Sequence, residues 1–185
     1  MKFIYTFPDS KRFFYRVLLI GLTCLFGFNV PVLKGQIYTE TNENWSNTLT
    51  WSTGALPTNT QNVALFHDVA VTVTNATAKN IIQFDNNLTL DAGSELSVCG
   101  DWDVSTLTAN TNSTVDFCGG TGQNIESQNT GSNSFDILEI NNGSEVILQA
   151  DIRINNKLKL LNGTLNLNGH NITISDDARI EGNLA

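Results

Sequence analysis

Basic residues are scarce once the first 35 positions are set aside: Lys79, Arg153, Lys157, Lys159 and Arg179 are all that remain. Seventeen acidic residues stand against these five, a net −12 for residues 36–185. A surface of that sign repels phosphate backbones, which argues against nucleic acid as a partner. Cysteine and histidine are also sparse, with Cys24, Cys99, Cys118, His67 and His170 spread along the chain. No set with zinc-ligand spacing can be assembled from them, so no metal site is expected. Calcium needs about six to eight oxygens. Neither Asp101-Trp102-Asp103 nor Asp176-Asp177 sits in an EF-hand or a nonapeptide calcium repeat, and both read as solvated carboxylates. An amphipathic helical period is missing as well. No catalytic, cofactor-binding or metal-binding residues are assigned.

The N-terminus has a different character. Lys2, Lys11, Arg12 and Arg16 precede a mostly apolar run from Val17 to Leu33, which Pro31, Lys34 and Gly35 break. That order predicts a signal peptide over 1–35 and a secreted or outer-surface protein. The competing membrane anchor needs about 20 apolar residues, more than this run supplies. Lipid attachment at Cys24 is disfavoured because Gly21-Leu22-Thr23 is a poor lipobox. No stable membrane span is expected after cleavage.

What the rest of the chain does contain is a rhythm. Leu138/Ile140, Val146/Leu148, Ile152/Ile154, Leu158/Leu160, Leu165/Leu167 and Ile172/Ile174 are apolar i,i+2 pairs. Each alternates as a β-strand with one face buried. They also repeat in threes: 138 to 158 is 20 residues, 146 to 165 is 19, and 152 to 172 is 20. Leu88-Thr89-Leu90 and Leu96/Val98 keep the same step, each 19 before Leu107-Thr108-Ala109 and Val115/Phe117. Three strands per turn at this period predicts an all-β fold, a three-sided, right-handed parallel β-helix (solenoid) with coils of 19–20 residues. Antiparallel hairpins have no reason to keep a three-beat register.

Domain organisation follows from where the rhythm holds. Residues 36–62, with Trp45, Trp51, Gly54 and Pro57, do not keep it and read as an N-terminal cap. Coils occupy 63–185, interrupted by a polar loop insertion over 124–134. Ile180-Glu181-Gly182 opens a further coil with nothing to cover it, so a solenoid truncated at its C-terminus is expected. Gly93-Ser94, Gly143-Ser144 and Gly163-Thr164 open strands at places read as equivalent, and the pairs Asn86-Asn87, Asn141-Asn142 and Asn155-Asn156 lie at strand ends. Asn at a corner can bond up and down a stack, so these residues read as structural.

Trp45-x5-Trp51-x2-Gly54-x2-Pro57-Thr58 followed by Asn62-Val63 resembles the opening of many secreted Bacteroidetes surface proteins. Val115-Asp116-Phe117-x-Gly119-x3-Gln123-x-Ile125, then Phe135-x2-Leu138-x-Ile140-Asn141, is similar to their recurring solenoid segment. The resemblance implies a stalk or adhesin-like part of a protein exported by the type IX system. The C-terminal sorting domain of such cargo is not in this sequence.

Few side chains are candidates for more than packing. Cys99 and Cys118 are 19 residues apart in one register, each after an inward residue, Val98 or Phe117. At about 5 Å between neighbouring strands, a cross-rung disulfide and two stacked free thiols both remain open. Trp45 and Trp51 are candidates for stacking on sugar rings, against a role as cap residues; Trp102 reads as a corner residue. Seven Asn-x-Ser/Thr sequons follow from a composition rich in Asn and Thr. The expected function is a non-catalytic surface or secreted scaffold, with surface glycans or other cell-surface proteins as partners and no cofactor. The alternatives are a polysaccharide-active β-helix enzyme and a carbohydrate-binding module.

Overall fold

The computed structural model describes residues 36–84, 86–127 and 133–182. Residues 1–35, where a signal peptide is expected, and the middle of the loop insertion lie outside the described residues.

The chain climbs in a parallel β-solenoid of about six turns. The entry comprises β1 (Gln36–Tyr38), β2 (Glu43–Asn44) and β3 (Asn62–Leu65). The next coil is β4 (Val69–Val71), β5 (Ala76–Ala78) and β6 (Ile81–Gln83). Above it lie β7 (Leu88–Leu90), β8 (Glu95–Val98) and β9 (Trp102–Asp103). The coil after that is β10 (Leu107–Ala109), β11 (Thr114–Phe117) and β12 (Gln123–Glu126). Two long strands, β13 (Asn133–Leu148) and β14 (Ile152–Asn166), each bend through a whole coil. The last two strands are β15 (Ile172–Ile174) and β16 (Arg179–Gly182).

Strands stack on three faces. The first face holds β2, β4, β7 and β10 and continues in the opening residues of β13 and β14 and in β15. The second holds β5, β8, β11, the middles of β13 and β14, and β16. The third holds β1, β3, β6, β9, β12 and the ends of β13 and β14. All these pairings are parallel, and the repeat read from sequence is their register. Leu138 pairs with Leu158, Val146 with Leu165, Ile152 with Ile172, and Leu96 with Val115.

Alternation explains the interior. Along β8 and β11 the inward residues Leu96, Val98, Val115 and Phe117 are buried while their neighbours face out. Each coil lays its inward side chains on those below, so like residues form files that run the length of the core. Burial weakens in the topmost described coil, where Ile172 and Ile174 are only partly covered and Ile180 is exposed.

Four expectations need correcting. Trp102 is not a corner residue: it is fully buried on the third face, in file with Ile81 and Ile125. Trp102 and Val104 are both fully buried and alternate with exposed Asp101 and partly exposed Asp103, but an indole flanked by two acidic residues reads as a surface group. The segment 36–62 is not all cap, since β1 and β2 are already rungs, and the capping part is Trp45 to Gln61. The insertion is narrower than 124–134, because β12 runs to Glu126 and β13 starts at Asn133. Finally, the three Gly corners are not equivalent. Gly93 (φ +74°) stands between first and second faces, in register with Asn112 (φ +60°), while Gly143 and Gly163 turn the chain onto the third face.

Candidate functional site

Charged side chains converge on the outward side of the second face. The inward register of Val115, Leu138 and Leu158, moved along by one residue, stacks Ser97, Asp116, Glu139, Lys159 and Glu181 on successive coils. Glu139 accepts a hydrogen bond from Lys159 at 2.9 Å, and Lys157 pairs with Glu181 at 3.0 Å. Among the described residues Asp116 has no such cation of its own; it is 8 % exposed, and its Oδ1 lacks a hydrogen-bond partner there. Burial and then the charge of Glu139, with a smaller push from Glu95, drive its carboxyl up to about 6, against a hydrogen bond from Ser97 and the more modest pull of Lys159. An oxygen this deep in the wall cannot reach a glycosidic bond on a bound polysaccharide, whatever its proton affinity.

A second polar cluster is fully internal. Gln123, completely buried, donates through Nε2 to the carbonyls of Val98 (2.9 Å) and Gly100 (2.6 Å). Its Oε1 accepts from the Gly119 N–H at 3.0 Å and from Asn142 Nδ2. Asn142, also buried, donates to Thr121 O and accepts from Ser144 N. Gln83 plays the same part lower down, donating to Thr106 O while accepting from the N–H groups of Ser105 and Thr106. Such corners leave backbone groups turned away from any strand, and a buried amide can satisfy donors and acceptors together. The Gly119 and Gln123 of the recurring segment are thus two ends of one hydrogen bond. In this chain the two residues hold a corner together.

Of the carboxylates singled out in the sequence, Asp101 is engaged in the stack. Asp101 Oδ1 accepts from the Asn124 N–H at 2.9 Å, and the Asp101 N–H donates to Asn80 Oδ1. With Asn80 donating to Asn62, this makes a file of Asn62, Asn80, Asp101 and Asn124 up the third face. Asp103, two residues along in β9, is in register with Glu126. Asp176 and Asp177 are exposed in the turn before β16. The backbone N–H of Asn171 above all, and then its side chain, hold the Asp151 carboxyl below the ordinary range, with His170 3.4 Å away. His67 is bound to Thr39. Arg153 donates to Asn155 and Ser175. The described residues include no group of three or more His, Cys, Asp or Glu able to hold a metal ion.

Trp45 and Trp51 are each 1 % exposed and meet edge to face with centroids 4.8 Å apart. Trp51 Nε1 donates to Trp45 O at 2.8 Å. With both ring faces packed against protein, neither can stack on a sugar. The aromatic pair closes the bottom of the core.

Cys99 and Cys118 are joined as a disulfide between adjacent coils, with Cα atoms 4.5 Å apart. Replacing both by Ala should lower stability by about 3 kcal/mol, since the bridge closes a loop of about 20 residues in the unfolded chain. Urea unfolding with and without reductant measures it. An unchanged midpoint would mean the two sulfurs are not bonded in solution.

Among the described residues no helix is long and apolar enough to cross a membrane. Compared with protein-family models, curated proteins and solved structures, the chain matches none.

Proposed function

We propose that this chain is an exported, cell-surface or secreted structural scaffold of adhesin type, without catalytic activity, akin to the Bacteroidetes surface solenoids its motifs resemble. One observation carries this reading: outward polar side chains are bonded from coil to coil. The file from Asn62 to Asn124, the rungs Asn155–Ser134 and Asn166–Glu145, and the pairs Lys159–Glu139 and Lys157–Glu181 all run along the stack. Groups used this way stiffen a rod and leave its surface polar. The signal-peptide pattern supports export, and surface glycans or neighbouring surface proteins are the partners such a rod would meet.

The polysaccharide-active alternative would need exposed carboxylates with a cation beside them. Asp101 is committed to Asn124, Asp116 is enclosed, and Glu181, exposed beside Lys157, is tied up in their ion pair at 3.0 Å. A carbohydrate-binding role through Trp45 and Trp51 would require the cap to open.

The test combines location and activity. On intact producing cells the protein should be removed by external protease, with an N-terminus near Gln36. Against a panel of acidic and neutral polysaccharides, the purified chain should release neither reducing ends nor unsaturated products. Cleavage that disappears in Asp101→Asn or Asp103→Asn would overturn the scaffold reading, as would retention in the cytoplasm.

A further inference from the structure

A buried carboxyl with one oxygen lacking a hydrogen-bond partner among the described residues, and with two other carboxyls acting on it, is an unusual thing to build into a rod. Asp116 is held by β11 with β8 beneath it and β13 above. From β8 it meets Ser97 and Glu95, from β13 Glu139, and from β14, one coil further, Lys159. Lys159 is already engaged by Glu139 at 2.9 Å, so among the described residues no cation is left to neutralise an ionised Asp116 directly.

We propose that Asp116 makes the second face a proton-dependent joint: with its carboxyl neutral the coils of β8, β11 and β13 close tightly, and its ionisation loosens them. The cause is geometric. In the neutral state the column holds two negative charges and one positive, with the hydroxyl of Asp116 able to donate. Ionisation adds a third negative charge, in a place water reaches poorly.

The direction of the effect follows from proton linkage. The carboxyl holds its proton more strongly in the folded chain, at about 6, than at the ordinary value of 3.8. Between those values the folded state binds more protons than the unfolded one, so stability falls as pH rises through the window and levels off above it. The contribution is fully present below the lower value. Asp151, whose carboxyl is held low by Asn171, acts oppositely and loses its contribution as the medium becomes strongly acid.

Chemical or thermal unfolding of the purified chain across this range tests the joint. From about pH 5 to about pH 7.5 the wild-type folding equilibrium constant should fall about tenfold. Asp116→Asn, nearly isosteric and always neutral, should flatten that slope and be the more stable protein at the upper pH. Carbon NMR of the Asp116 carboxyl provides a readout that a merely structural residue would not move. It should titrate near 6 in the wild type and at lower pH in Glu139→Gln, where a like charge is gone and Lys159 is released. A wild-type slope retained in Asp116→Asn, or an Asp116 carboxyl that titrates in the ordinary range, would overturn the proposal.

Discussion

Trp102→Ala should destabilise the solenoid by about 3–5 kcal/mol, the range for deleting a large, fully buried aromatic side chain. The indole stands in the third-face file between Ile81 and Ile125. It also meets Phe117 and Phe135, with centroids 6.1 and 5.7 Å away. Coils above and below are locked in register by their own backbone ladders, so they cannot collapse into the space left behind. Trp102→Phe should cost far less, because the ring contacts persist and the indole N–H has no hydrogen-bond partner among the described residues. Denaturant midpoints of the two variants decide the matter. Were Trp102→Ala to lose under about 1 kcal/mol, the residue would be facing solvent, as a corner residue does.

Gly163→Ala is the second large expected effect, a loss of about 3–5 kcal/mol made of two parts. Gly163 has φ +81°, a conformation L side chains rarely adopt. A Cβ there would come to 2.1 Å from Asn142 O and 2.4 Å from Ser144 O, both backbone atoms of the coil below. Neither oxygen can swing away, since each belongs to the rung that Gly163 rests on. Gly93 provides the control: its φ is +74°, yet nothing lies within 4 Å of an added Cβ. Gly93→Ala should show the conformational cost alone, about 1–2 kcal/mol. Equal losses at the two glycines, compared by thermal unfolding, would mean that the coils are not packed this closely at that corner.

Legibility varied along the chain for physical reasons. Pairs such as Leu138/Ile140 and Leu158/Leu160 were readable because a wide strand with one buried face writes period-two alternation, and stacking writes it again 20 residues on. Ile37 and Trp102 were not, because Ile37 is the lone apolar inward residue of its strand and Trp102 stands between two acidic residues. The column of Asp116, Glu139 and Lys159 was present in the sequence as the inward register moved by one residue. It becomes visible only when outward positions are aligned coil against coil. Gln83 and Gln123 carry no local signal, since a polar residue near a turn is ordinarily exposed.

Alone, then, the sequence determined the parallel stacking, the coil length, the register, and the closeness of Cys99 to Cys118. These rest on spacing, and spacing along a strand is fixed by backbone geometry. The tertiary structure decided which side chains the corners bury, that Trp45 and Trp51 close the core instead of facing a ligand, and that Asp116 lies enclosed in register with Ser97 and Glu139. Burial at a corner depends on how two coils meet in space, and neither coil's own sequence records that meeting.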